Sequence, residues 1–218
     1  MADACLRARL PVRCGPAGLR AAVAGLRASG RVRPVQHVGS VDVFLEALGD
    51  ASPGDVLVVD NAGRLDEACV GDLIALEAKA AGLAGIVIWG LHRDSRDITA
   101  IGLPLFSLGS LPTGPLRLNA RTPDALRVAV VGTHAVSASD YVVADDDGVI
   151  FLPGDRLAEL LTLARSIRDT EARQAQIISA GTSLRRQLRF DEYLARRRAD
   201  ATYDVRRHQR ELGGAVAA

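Results

Sequence analysis

The sequence predicts a mixed α/β fold with parallel strand pairing, on three observations. Between residues 54 and 108, apolar runs of strand length alternate with helical patterns, the order that builds parallel strands with crossover helices. After residue 120 the pattern turns to short strands joined by tight turns. From Pro153 onward it is helical.

Each element has its own reason. VDVFLEALGDA (41–51) reads as a short helix ending near Gly49. GDVLVVD (54–60) is a buried strand, because the apolar run between Asp55 and Asp60 leaves no face for solvent. GDLIALEAKAAG (71–82) is a helix: Leu73, Leu76 and Ala80 fall on one stripe, and Gly82 stops it. GIVIWG (85–90) is the next strand, SRDITAIG a short helix and LPLFSLG a third strand. LRVAVVG, THAVSAS and DYVVADDDGVIFLP supply the later strands, with Asp146, Asp147 and Gly148 as a solvated hairpin turn. In the helical region, Leu157, Leu160, Leu161, Ala164 and Ile167 recur at helical spacing and Gly181 ends the run. SLRRQLRFDEYLARRRAD is expected to form one basic helix capped by Ser183, followed by a frayed tail over the last dozen residues. The division expected is an α/β domain over 1–180 and a C-terminal basic helix and tail over 181–218.

Composition excludes several functions. At 218 residues, 48% apolar and 24% charged, the chain matches an ordinary globular domain. A net charge of +1 gives no whole-molecule attraction to nucleic acid or membranes. No apolar stretch approaches the roughly 20 residues that span a bilayer, and the N-terminus has no apolar signal region, so a cytoplasmic location is the simplest reading. Cys5, Cys14 and Cys69 have no paired spacing, which argues against a zinc ribbon or disulfide framework. His37, His92, His134 and His208 are scattered and read as ordinary surface or loop residues. Lys79 is the single lysine among 27 basic residues and sits late in a helix, which argues against imine chemistry.

Two strand-to-helix loops carry the candidate site. Ligands collect at the carboxyl ends of parallel strands. The helix that starts near Asp72 would leave the amides of Leu73 and Ile74 as first-turn donors, suited to a carboxylate or phosphate. Beyond the next strand, Arg93 can clamp a carboxylate with its planar fork, while Asp94 offers oxygen to a hard cation. Adjacent side chains on extended backbone diverge, so one would take substrate and the other metal. The plainer alternatives are that Asp72 and Asp94 cap their own helices.

The ordered set GDVLVVDNAGRLDEACVGDLIALEAKAAGLAGIVIWGLHRD resembles the family of regulator of ribonuclease activity A and the metal-dependent 4-hydroxy-4-methyl-2-oxoglutarate/4-carboxy-4-hydroxy-2-oxoadipate aldolases. The shared pattern is a GDV strand ending in Asp, a G-[DE]-L helix start, a glycine-flanked strand and G-x-x-R-D, with VVADDDGVIFLP further on. Trp89 and His92 depart from it. The resemblance implies an α/β/β/α sandwich of swivelling β/β/α type with C-terminal helices, assembled as a trimer or hexamer with interfacial sites. It also implies that Asp94 binds Mg²⁺ or Mn²⁺, that Arg93 holds the substrate carboxylate, and that Gly71 and the amides of Leu73 and Ile74 hold the pyruvyl end. Asp72 would hydrogen-bond a metal-bound water, and Glu171 would come from a neighbouring subunit.

The implied activity is retro-aldol cleavage of 4-hydroxy-2-oxo acids, or decarboxylation of oxaloacetate, giving pyruvate. The cation would stabilise the enolate charge. A second reading is a non-catalytic protein that regulates a ribonuclease or another partner enzyme. A third is nucleic-acid binding through Arg185, Arg186, Arg189 and Arg196–Arg198. Interspersed Asp191, Glu192 and Asp200, and the lack of an RNA-binding aromatic pattern, argue against it. The methyltransferase label attached to some relatives finds no glycine-rich nucleotide loop after the first strand.

Overall fold

The computed structural model describes residues 1–213; residues 214–218, the end of the stretch expected to fray, lie outside the described residues. The chain divides into two compact units, Pro11–Leu157 and a second made of Met1–Leu10 with Ala158–Ala218. In chain order, α1 (Ala2–Arg7) precedes β1 (Arg13–Cys14), β2 (Arg20–Ala21), β3 (Ala28–Gln36), α2 (Asp42–Gly49) and β4 (Val56–Asp60). Next come β5 (Ala68–Val70), α3 (Asp72–Ala80), β6 (Gly85–Trp89), β7 (Leu91–His92), α4 (Ser95–Ile101) and β8 (Leu105–Ser107). The strands finish with β9 (Val128–Val131), β10 (His134–Ser137), β11 (Asp140–Asp145) and β12 (Gly148–Pro153). The helices α5 (Leu157–Ser179), α6 (Leu184–Gln187), α7 (Phe190–Ala199) and α8 (Val205–Glu211) close the described chain.

An eight-stranded sheet in the order β1-β12-β11-β3-β4-β6-β8-β2 forms the frame of the larger unit. Its centre, β3-β4-β6-β8, is parallel, as the strand–helix alternation predicts. Antiparallel strands flank it: β11 on β3, β12 on β11, β1 on β12, and β2 on β8. The sheet curls into a half-barrel, and the curl brings β2 to the β11–β12 turn, where Arg20 donates to the carbonyl of Asp147.

Both faces of the central strands are buried, with alternate residues serving different cores. Along β4, Leu57 and Val59 join Phe44, Ile74 and Ile98 on the helical side. Val56 and Val58 point the other way, to Val87, Phe106, Val142 and Phe151 inside the curl. The predicted helices at 41–51 and 71–82 are α2 and α3, but the buried stripe of α3 is Ile74, Ala75 and Ala78. Leu73 and Leu76, expected on one apolar stripe, instead face outward at 72% and 49% exposure.

The smaller unit corrects two expectations. The basic segment after Ser183 is two helices, because Arg189 takes a left-handed turn (φ +47°) between α6 and α7. Ser183 does cap the first of them, its hydroxyl accepting from the amide of Arg186. Residues 205–211, partly within the expected frayed tail, form α8 with Asp204 as its cap. Four of the arginines after Ser183 are paired with acids: Arg185 with Asp191, Arg189 with Glu192, Arg196 with Glu211 and Arg207 with Asp200. That pairing removes much of the free positive charge a phosphate backbone would need. Among the described residues no helix is long and apolar enough to cross a membrane.

Candidate active site

The chain places its two signature loops side by side by means of a small sheet of its own. Beyond β4 and β6 the backbone continues into β5 and β7, which pair in parallel. The amide of Arg93 extends that pairing by donating to the carbonyl of Val70 at 2.9 Å. Gly71 therefore meets Arg93 and Asp94 directly. A Cβ built on Gly71 would run into Asp94 Oδ2 and lie 3.1 Å from Arg93 Nε. Gly114 closes the other side, where a Cβ would lie 3.0 Å from Arg93 Nη1.

Arg93 and Asp94 do not diverge. Asp94 adopts a left-handed conformation (φ +60°), and its Oδ2 pairs with Arg93 Nε at 3.3 Å. Asp94 also occupies the N-cap position of α4, yet its side chain makes no capping bond. Its backbone carbonyl does start the helix, accepting from the amides of Asp97 and Ile98. The carboxylate is thus left facing Gly71 rather than being consumed by the helix end.

Gly71, Asp72, Leu73, Ile74 and Arg93 line one cleft of about 430 Å³. Gly71 is the N-cap of α3, and Asp72 is its first helical residue. The amide of Leu73 is not free as the sequence suggests: it donates to Asp72 Oδ1 at 2.8 Å. Glu171 is exposed on α5, which belongs to the smaller unit. Lys79 lies outside the cleft lining, with its ammonium donating to the carbonyl of Ile101. Cys69 lines the cleft as a buried thiol, and desolvation pushes it far above the ordinary thiol range, which disfavours the thiolate.

Other parts of the lining come from residues the sequence did not mark as a site, among them His37, Ser40, Val41, Phe44 and Leu118. Beneath it lies a buried polar network. Glu67 is fully buried, accepting from the amide of Leu116 and from Arg117 Nε, both at 2.9 Å. Burial pushes its carboxyl up, but these donors outweigh that and hold it below the usual carboxylate range. Arg117 Nη2 also donates to Asn61 Oδ1 at 2.8 Å and to the carbonyl of His37 at 3.2 Å. The four histidines were expected to be ordinary surface or loop residues; three of them, His37, His92 and His208, are buried. His92, beneath the Arg93–Asp94 turn, has both ring nitrogens occupied, by the hydroxyls of Ser107 (2.8 Å) and Ser95 (3.0 Å). Trp89 ties down the loop after β4, its carbonyl accepting from the amides of Asn61 and Gly63.

A family model described as RraA-like, Aldolase/RraA, matches residues 2–151. A relative from Halalkalibacterium halodurans named "Putative 4-hydroxy-4-methyl-2-oxoglutarate aldolase" is 34% identical over 154 residues, 68% of this chain and 70% of its own. Among solved structures, an uncharacterized protein from Pseudomonas syringae superposes with a TM-score of 0.73 at 28% identity, covering 84% of this chain and 88% of its own. RraAS2 of Streptomyces coelicolor, described as an unusual member of the RNase ES inhibitor RraA protein family, gives 0.64 at 28% identity over 75% of this chain and 85% of its own.

Proposed function

The chain belongs to the RraA-like, Aldolase/RraA family, and from that premise we propose that it is a divalent-metal-dependent lyase. Its substrates are 4-hydroxy-2-oxo acids, cleaved by retro-aldol reaction, and oxaloacetate, decarboxylated; both give pyruvate. The observation that carries this reading is the Asp94 carboxylate, which takes an N-cap position without capping and lies beside Arg93 at the start of α3.

The donor set suits Mg²⁺ or Mn²⁺. Among the described residues no three His, Cys, Asp or Glu side chains converge as a closed cage. Mg²⁺ uses one or two carboxylates and fills its remaining positions with water and substrate oxygens, so Asp94 would hold it. Such an ion supplies Lewis-acid stabilisation of the charge that develops on the 2-keto oxygen.

The chain's own groups do the rest. Arg93 presents its guanidinium to the substrate carboxylate, and Gly71 leaves room for that approach. The amides of Leu73 and Ile74 and the dipole of α3 favour the same negative end, with the Leu73 amide exchanging its Asp72 partner for the ligand. Fixing the carboxylate at these points orients the 2-oxo group toward Asp94. Asp72, once released from that amide, would accept a hydrogen bond from a water held at the cation.

A homo-oligomer, trimer or hexamer, belongs to this reading. Val41, Leu73 and Leu118 stand exposed at 53%, 72% and 77% around the cleft, apolar surface that a second copy would cover. Glu171 is the residue such a copy would contribute. The second reading, a non-catalytic regulator of a partner enzyme, draws on the likeness to RraAS2.

Pyruvate release from 4-hydroxy-4-methyl-2-oxoglutarate and from oxaloacetate, with Mg²⁺ and with EDTA, separates the two. Asp94→Asn is the variant of choice, because Asn tolerates φ +60° while losing the charge. The lyase reading expects turnover that vanishes in EDTA and falls at least about a hundredfold in the folded variant. No turnover on either substrate, or turnover indifferent to Asp94, sinks it and favours the regulator.

A further inference from the structure

His37 is 2% exposed and lines the same cleft as Arg93. Its ring is held on two sides: one face stacks on Phe44 with centroids 5.1 Å apart, and Nδ1 lies 2.9 Å from Asn61 Oδ1. The remaining nitrogen, Nε2, is buried and has no hydrogen-bond partner. A buried polar atom left unpaired costs about 1–3 kcal/mol, so a fold that retains one calls for an explanation.

The network beneath fixes what Nε2 can do. Arginine only donates, so the Asn61 atom 2.8 Å from Arg117 Nη2 must be the amide oxygen. That same oxygen faces His37, so His37 Nδ1 must carry the proton that bonds to it. In the neutral ring Nε2 then bears the lone pair and can only accept. Burial pulls the imidazole below its ordinary value, outweighing Asn61 and Glu67, which act in the opposite direction. Metal ligation would need companions, and the described residues assemble no cluster of three candidate ligands.

We propose that His37 Nε2 is a specificity-determining contact that accepts a hydrogen bond from a hydroxyl group of the bound acid. The inference rests on the lyase reading and narrows its substrate class. A 4-hydroxy-2-oxo acid carries the donor that Nε2 lacks; oxaloacetate does not. Held at its carboxylate by Arg93 and at its hydroxyl by His37, such an acid is fixed at two points of the cleft. A ligand without the hydroxyl leaves the lone pair unmatched, the situation in which polar sites discriminate most strongly.

The test compares 4-hydroxy-2-oxoglutarate with 2-oxoglutarate, which lacks the hydroxyl. Affinities are measured in EDTA by titration of protein labelled with ¹⁵N-histidine, and pyruvate release is measured separately with Mg²⁺. The hydroxylated acid should bind about tenfold more tightly, the worth of one hydrogen bond. Only that acid should move the His37 Nε2 resonance, which starts as an unprotonated nitrogen. His37→Phe keeps the stack on Phe44 and should bring the affinity ratio to about one, while His37→Gln, which retains an acceptor, should restore most of it. An unchanged ratio, an equal loss on both acids, or a protonated or unresponsive Nε2 in the native protein overturns the proposal. The native resonance decides the matter even if His37→Phe does not fold. Absence of pyruvate release from every substrate would count against the lyase reading alone, since the affinity ratio is read without turnover.

Discussion

Gly71 shows how much of the candidate site rests on a missing side chain. Its backbone (φ −125°) is one any residue adopts, so the requirement for glycine is steric rather than conformational. A Cβ there pushes on Asp94 Oδ2 and Arg93 Nε, both at the flexible ends of side chains. Gly71→Ala should therefore leave the melting temperature nearly unchanged yet, on the proposed lyase reading, lower kcat/KM about a hundredfold, because the pair proposed to align substrate is displaced. Equal losses of stability and activity would show that Gly71 serves packing instead. At this scale the sequence was readable where residue order itself brings groups together: G-D-L and R-D each follow a strand, and the strands are neighbours. His37 was not readable. Its partners Asn61, Glu67 and Arg117 lie 24, 30 and 80 positions further along the chain, and only the fold collects them.

At the scale of elements, α3 separates what periodicity reveals from what it conceals. Its span follows from apolar spacing and the stop at Gly82, where φ is +78°. The inward face does not, since Leu73 and Leu76 repeat at helical spacing as well as Ile74 and Ala78 do. The buried stripe, one isoleucine and two alanines, is the less bulky face, and the leucines are left outward. Leu45 on α2 is likewise 51% exposed. For the proposed homo-oligomer, the double variant Leu45→Asp, Leu76→Asp should shift sedimentation toward the mass of one chain while the far-ultraviolet spectrum stays native. An oligomer unchanged by the variant would put the subunit contacts on another surface. The strand β3 escaped notice for a related reason: ASGRVRPVQ alternates arginines with apolar residues and contains Pro34, which reads as loop. The structure accommodates the proline because β11 pairs only with Ala28–Arg31, so Pro34 has a strand on one side alone.

For the whole molecule, acid is the expected weakness. Burial lowers the basicity of His37 and of His92, so both favour the fold while neutral. Their contribution is present above the unfolded value of about 6.5 and is lost as pH falls through the depressed folded values. Glu67, held below the usual carboxylate range, adds a term lost at still lower pH. The three terms share one sign. Urea midpoints should thus fall between pH 7.5 and 5.5 and fall again toward pH 4; a flat profile would contradict these shifts. The helix-flanked parallel core was legible from alternation alone, whereas the curl was not, since it brings Arg20 to a turn more than a hundred residues away. That curl has a consequence for synthesis. On a chain emerging from the ribosome, β1, β2 and the first half of β3 appear early, but β11 and β12, which pair with β3 and β1, are the last strands to emerge. Until then β3 shows an open edge to neighbouring nascent chains, a hazard that Arg31, Arg33 and Pro34 on that strand blunt. Ribosome stalling between residues 110 and 140 should make this protein unusually dependent on holding chaperones.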